Sequence, residues 1–164
     1  MQNLTGSRTT DYDDEYATCE RTLARFSIYS GEKPPEEITL TLELAPTHQC
    51  EIGQVRTNSI GRTRTDSLNA WFLSSEGFIS SRELRRHLDW LLENLVTRST
   101  QIAKLQKTSG IKMRVDCIWW SAFGQGGPTL WPEQMNIMAK LNLECAFDVS
   151  FYGLQEGDVR KTIS

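Results

Sequence analysis

Leu84, Leu88, Leu91, Leu95, Ile102 and Leu105 recur at helical spacing, and Leu92 widens the stripe. A helix with one apolar stripe must lie on an apolar surface to be stable. Its neighbours in the chain supply one. In residues 21–30, Thr22, Ala24, Phe26 and Ile28 share a face, with Leu23, Arg25, Ser27 and Tyr29 on the other. In residues 111–120, Ile111, Met113, Val115, Cys117 and Trp119 alternate with Lys112, Arg114, Asp116, Ile118 and Trp120. In the last such segment, Cys145, Phe147, Val149 and Phe151 alternate with Ala146, Asp148, Ser150 and Tyr152. Period two marks strands. Residues 70–75 read as a further strand. Strands and helices do not alternate regularly, so the expected class is α+β. The expected architecture is an antiparallel or mixed sheet with helices packed on one face, and a ferredoxin-like β-α-β-β-α-β core fits.

Ser80 as N-cap with Glu83 three residues on predicts a capping box for the long helix. Ser109-Gly110 closes it after about seven turns, with a weak point at Thr97–Thr100. Pro132-Glu133 starts another helix, carrying Met135, Met138 and Leu141. Residues 38–44 are ambiguous. Ile38, Leu40, Leu42 and Leu44 alternate as a strand would, yet Pro34-Pro35-Glu36-Glu37 looks like a helix start. Residues 47–55 read as a short strand or extended loop, and 56–69 as a polar, locally basic loop.

The 164 residues suit one domain, and the longest apolar runs are too short to cross a bilayer, so no membrane partner is expected. The net charge of −3 argues against a nucleic-acid partner. Much of that charge sits in residues 1–20, where Asp11, Asp13, Asp14, Glu15 and Glu20 face one base, Arg8. Residues 1–20 therefore read as an acidic arm, disordered or loosely docked, 21–152 as the domain and 153–164 as a tail. The N-terminus has no basic start or apolar core, so no signal peptide is expected and the cytoplasm follows. Cys19, Cys50, Cys117 and Cys145 form no CxxC pair, and neither His48 nor His87 lies at zinc-site spacing from them. No metal or other cofactor is expected, and Cys117 and Cys145 read as small buried hydrophobes.

A wider pattern runs through Phe26-Ser27-Ile28-Tyr29, Pro35-Glu36-Glu37-Ile38-Thr39, Trp71-Phe72-Leu73-Ser74-Ser75-Glu76 and His87-Leu88-Asp89-Trp90-Leu91-Leu92. It ends in Trp119-Trp120-Ser121, Gly126-Gly127-Pro128-Thr129-Leu130 and Phe147-Asp148. In order and spacing it resembles the bacterial family of domain of unknown function 4279, over residues 23 to about 152. The resemblance implies an α+β domain with a helix at 35–42. It brings no established activity, substrate or catalytic residue. Two departures stand out: Trp131, where relatives carry a small polar residue before the Pro-Glu start, and the long polar insert at 56–69.

Four features are candidate sites. The Ser121-to-Pro128 loop, with Gly124, Gly126 and Gly127, can present backbone N–H groups to an anion, but it lacks the lysine of a P-loop. Trp71 and Trp120 lie at strand ends, where aromatics build pockets or interfaces; by parity Trp120 points away from the core. Asp116 and Asp148 share the face opposite the apolar one, as an acid pair or as partners of Lys112 or Arg114. Arg62 and Arg64 on the basic loop can bind phosphate or an acidic partner. No spacing supports a Cys–His dyad. The expected function is a small binding module without catalysis that recognises a protein partner, in one form an immunity-type protein neutralising a toxin. A homodimer is compatible with the pattern. The alternative is binding or turnover of a small anionic ligand at the glycine-rich loop, near Trp120 and Arg62 or Arg64.

Overall fold

In the computed structural model of the chain, residues 7–153 are described. The period-two segments become strands. They are β1 (Cys19–Tyr29), β5 (Ala70–Ser74), β6 (Lys112–Ser121) and β7 (Glu144–Ser150), joined in one sheet by the short β2 (His48–Cys50). The sheet order is β2-β5-β1-β6-β7. β1 is antiparallel to both β5 and β6, and β2 to β5, while β6 and β7 are parallel. The helices are α1 (Pro35–Leu42), α2 (Leu84–Val96), α3 (Ser99–Gln106) and α4 (Pro132–Lys140). The fold is thus α+β with a mixed sheet. Leaving out β3 (Val55–Thr57) and β4 (Thr63–Thr65), which form a separate two-stranded sheet, the elements up to β6 run β-α-β-β-α-β, counting α2 and α3 as one. Each helix-joined pair of strands, β1/β2 and β5/β6, has one strand between its members. β7 is added at the edge through α4.

All four helices pack on one face. Ala24, Phe26 and Ile28 of β1 meet Ile38 and Leu42 of α1, the leucine stripe of α2, Ile102 and Leu105 of α3, and Met138 of α4. No described helix packs on the other face, so the molecule is two layers. No helix among the described residues is long and apolar enough to cross a membrane.

The ambiguous 38–44 segment is helical through Leu42. Pro35 opens α1 and Glu36 and Glu37 fill its first turn, where acids favour the dipole. Ile38 and Leu42, one helical turn apart, are buried, while Leu40 is 77% exposed. Glu43, in the left-handed region at φ 52°, ends the helix.

The long helix departs from expectation at both ends. It starts at Leu84, with Glu83 rather than Ser80 as N-cap, and Glu83 accepts the Arg85 backbone N–H. Ser81 cannot join the helix, because its carbonyl accepts from His87 Nε2 at 2.8 Å and its hydroxyl accepts the Glu83 N–H at 2.9 Å. The chain breaks at Thr97–Arg98, within the expected weak region. Arg98 Nε then donates 3.1 Å to the Leu42 carbonyl, satisfying an orphan acceptor at the end of α1. At α4, tryptophan cannot cap; Gln134 reaches back to accept the Trp131 N–H at 3.0 Å.

Two other segments are more ordered than their composition suggested. The 56–69 loop contains a hairpin of β3 (Val55–Thr57) and β4 (Thr63–Thr65). Asn58 Oδ1 accepts N–H groups from Ile60 and Arg62 across its turn, and Gly61 takes φ 76°. Residues 7–18 are laid on the domain as a strap, the docked form of the expected arm. Arg85 donates to the carbonyls of Thr10 and Asp11. Tyr12 bonds Asp89, and Tyr16 donates 2.9 Å to the Gly127 carbonyl. Residues 1–6 and, of the expected tail, 154–164 lie outside the described residues.

Candidate binding surface

Strand parity decides what each face carries. On the uncovered face stand Arg21, Leu23, Arg25, Ser27 and Tyr29 of β1, Phe72 of β5, Arg114, Asp116, Ile118 and Trp120 of β6, and Asp148 of β7. Asp116 is its hub. Only 4% exposed, it accepts the Ser27 hydroxyl at 2.5 Å and Arg25 Nη2 at 3.3 Å, and Arg114 Nε lies 2.7 Å away. Two guanidiniums around one buried carboxylate leave the cluster cationic. Arg25 also lies over the Phe72 ring at 5.2 Å. Phe72 stacks on His48 and meets the Tyr29 edge. Arg21 covers the half-buried Trp120 at 5.0 Å and pairs with Glu76. Long side chains thus dress a sheet face that no described helix covers. The dressing is aromatic and guanidinium-rich, which is the chemistry of interface anchors.

The candidate residues divide across the molecule. Asp116, Trp120 and Asp148 share this face. Asp148 is exposed and stands opposite Ile118, diagonal to Asp116, while Asp116 is committed to its arginines. The two carboxyls are therefore not arranged as an acid–base pair. Trp71 is on the other face, fully buried, its Nε1 donating to Thr39 Oγ1 at 3.0 Å. It is a core residue that fixes α1 on the sheet. Ser121 is buried, and its hydroxyl donates 2.9 Å to the Gln125 carbonyl. Tyr16 ties down Gly127, and a Cβ at Gly126 would collide with the Thr18 side chain. The glycine-rich loop is thus closed on itself beside Pro128, next to a cavity of about 90 Å³, well below the usual size of a ligand pocket. Arg62 and Arg64 are exposed on the β3–β4 hairpin. That hairpin is rooted near Ala70, which pairs with Tyr29, and Tyr29 pairs with Lys112 at the start of β6. Ser121 and the loop follow the far end of β6, roughly 30 Å along the strand. The structure does not bring these arginines to the loop.

Of the partners expected for these acids, Arg114 does pair with Asp116, while sequence reasoning missed the roles of Arg21, Arg25 and Phe72. The signal was there for Arg25, which shares parity with the residues opposite the apolar face. What parity could not give was the β1–β6 register that sets Arg25 opposite Asp116. It also missed a hydroxyl–imidazole pair. Ser75 Oγ accepts the Ala24 N–H at 3.0 Å and lies 2.8 Å from His87 Nδ1. With His87 Nε2 donating to Ser81, Ser75 is the donor to Nδ1. Burial holds His87 below its ordinary value, so the neutral ring fits this arrangement. Ser75 is fully buried and both of its hydrogen-bonding roles are spent. A cavity of about 320 Å³ opens beside the pair, lined by Arg21, Thr22, Glu76, Arg82 and His87 among others.

Two of the strap's acids pair within the chain. Asp14 accepts from Ser81 and pairs with Arg86, and Glu15 pairs with Arg82. Among the described residues, no group of three or more His, Cys, Asp or Glu is placed to hold a metal ion.

Residues 18–152 match the sequence model of a family described as Domain of unknown function (DUF4279). No curated protein and no solved structure matches the chain.

Proposed function

This chain belongs to the DUF4279 family of domains of unknown function, and from that premise we propose that it is a protein-binding module whose partner docks on the uncovered sheet face. One observation carries this reading: a five-stranded sheet whose described helices all lie on one face, while its other face presents Trp120, Phe72 and Ile118 among arginines held by ion pairs and ring contacts. Such a face offers apolar area and directional donors together. The partner surface it suits is apolar with carboxylates at its rim, which the Arg21, Arg25 and Arg114 guanidiniums would meet. The reading is non-catalytic because the Ser75–His87 pair has its hydrogen bonds committed within the fold: Ser75 accepts the Ala24 N–H and donates to His87, whose Nε2 donates to the Ser81 carbonyl. The glycine-rich loop, closed by Ser121 and Tyr16, gives the small-anion alternative less support. Unpaired thiols fit a reducing compartment, the cytoplasm.

The test is site-specific photocrosslinking in the native host. A photoreactive residue at position 148, exposed on the open face, is compared with one at position 93, exposed on α2. An adduct confined to position 148 is expected, and Trp120→Ala or Arg25→Glu should reduce it about tenfold or more, the scale of one interface anchor. Equal adducts at both positions, or none, would sink the proposal. The finer form is an immunity-type role. It requires the crosslinked partner to arrest growth when expressed alone and to be harmless when co-expressed with this chain. A partner that is harmless alone removes that role and leaves the docking face standing.

A further inference from the structure

We propose that Cys117 and Cys145 are a reversible dithiol–disulfide site that closes on exposure to a peroxide or a small-molecule disulfide. The pair goes beyond the docking face and lies on the opposite side of the sheet. β6 and β7 are parallel neighbours, with Val115 opposite Cys145 and Cys117 opposite Phe147. Both thiols therefore point to the helix-covered side, and their sulfurs are 3.5 Å apart. Both are free in this structure. A disulfide needs about 2.05 Å. The remaining approach is short, and β7 is an edge strand with no described strand paired on its outer side.

Access separates the two sulfurs. Cys117 is fully buried and Cys145 half-buried. Helix cover ends at Cys145: the next residues on that face, Phe147 and Val149, are 50% and 57% exposed. A small oxidant therefore meets Cys145 first. The hydrogen bond from Cys117 favours the Cys145 thiolate and holds it below the ordinary thiol range. That same bond, with burial, pushes Cys117 up. Cys145 is the attacking sulfur and Cys117 the resolving one.

With hydrogen peroxide, the Cys145 thiolate takes one oxygen as the O–O bond breaks. The other leaves as hydroxide and is protonated to water. Cys117 sulfur then attacks Cys145 sulfur. The S–S bond forms, the S–O bond breaks, and the departing hydroxide takes the Cys117 proton as water. With a small disulfide, Cys145 forms a mixed disulfide and releases one thiolate; Cys117 displaces the second. A small thiol reverses either route. The bond staples edge strand β7 to β6 and encloses the glycine-rich loop and α4.

The test uses the full chain with Cys19→Ser and Cys50→Ser, leaving only the pair. After stoichiometric peroxide the intact protein should lose the mass of two hydrogens. It should resist alkylation after denaturation, recover on reduction, and melt about 5–10 °C higher, as closing a loop of this length implies. With Cys117→Ser, Cys145 should accumulate as a sulfenic acid trapped by a dimedone-type reagent. With Cys145→Ser, Cys117 should react at least about tenfold more slowly. If a variant does not fold, non-reducing peptide mapping of the unmodified chain reads the same linkage. Two thiols that stay alkylatable after oxidant, a linkage formed only in denaturant, or equal rates at the two single cysteines would overturn the proposal.

Discussion

Glu83 and Arg85 are two residues apart and wholly buried, yet charged residues at the start of an amphipathic helix normally face water. The ion pair survives because every partner is supplied. Arg85 donates to both Glu83 oxygens and to the strap carbonyls, and its guanidinium lies 4.5 Å from the Trp131 ring centre. Arg8 sits on that same ring at 4.4 Å. Trp131 thus packs against a strap that precedes the matched residues. Removing one partner strands the other charge. Arg85→Met should cost about 3–5 kcal/mol in urea unfolding, and adding Glu83→Gln should recover part of it. No local pattern shows this burial, because the covering residues are far away in the chain. His87 gives a second test. Its folded value lies below the ordinary 6.5, so as pH falls below that value the unfolded chain binds the proton first. The stability His87 allows is complete above pH 6.5 and is lost as pH falls toward the folded value. Unfolding free energy should therefore decline from pH 7 to 5. His87→Gln should flatten that slope even if it lowers stability overall; an unchanged slope would assign the decline to other groups.

At the scale of elements, α1 shows why a short segment is hard to read. Ile38 and Leu42 satisfy a strand's alternation and a helix's turn equally well, and only Leu40 distinguishes them. In a strand it would share their face; in α1 it points to water. The distinction is measurable. Leu40→Glu should change stability by no more than about 0.5 kcal/mol, whereas Ile38→Ala should cost about 2–4 kcal/mol. Comparable losses at both would mean that Leu40 is buried. The leucine stripe was legible because its period holds over several turns. Its start was not, since Ser80–Glu83 has the letters of a capping box while Ser81 and His87 bond each other. The 56–69 hairpin was hidden for a different reason. Its strands are three residues long and expose most side chains, so no apolar alternation marks them.

At the scale of the molecule, strand faces were readable from sequence and strand neighbours were not. Parity assigned Trp120, Asp116 and Asp148 to one face. It could not place β1 at the centre, because pairing order depends on how α1 and the α2–α3 pair cross the sheet. That order determines where the fold should open. β1 is bonded on both sides, by β5 and β6, and its core-facing residues are fully buried. Among the described strands β7 is bonded on one side only, by β6, and its helix cover ends at Cys145. The β3–β4 hairpin is a separate two-stranded sheet. An edge strand can open without exposing the core, while freeing β1 breaks both halves of the sheet. Hydrogen exchange of the reduced protein should therefore be slowest at Ala24–Ile28 and Val115–Trp119. It should be on the order of a hundredfold or more faster in the hairpin and at Phe147–Val149. The same measurement after peroxide should slow β7 selectively, because stapling it to β6 removes its independent opening. If β7 already exchanges as slowly as β1 in the reduced protein, the edge is held by something beyond the contacts described.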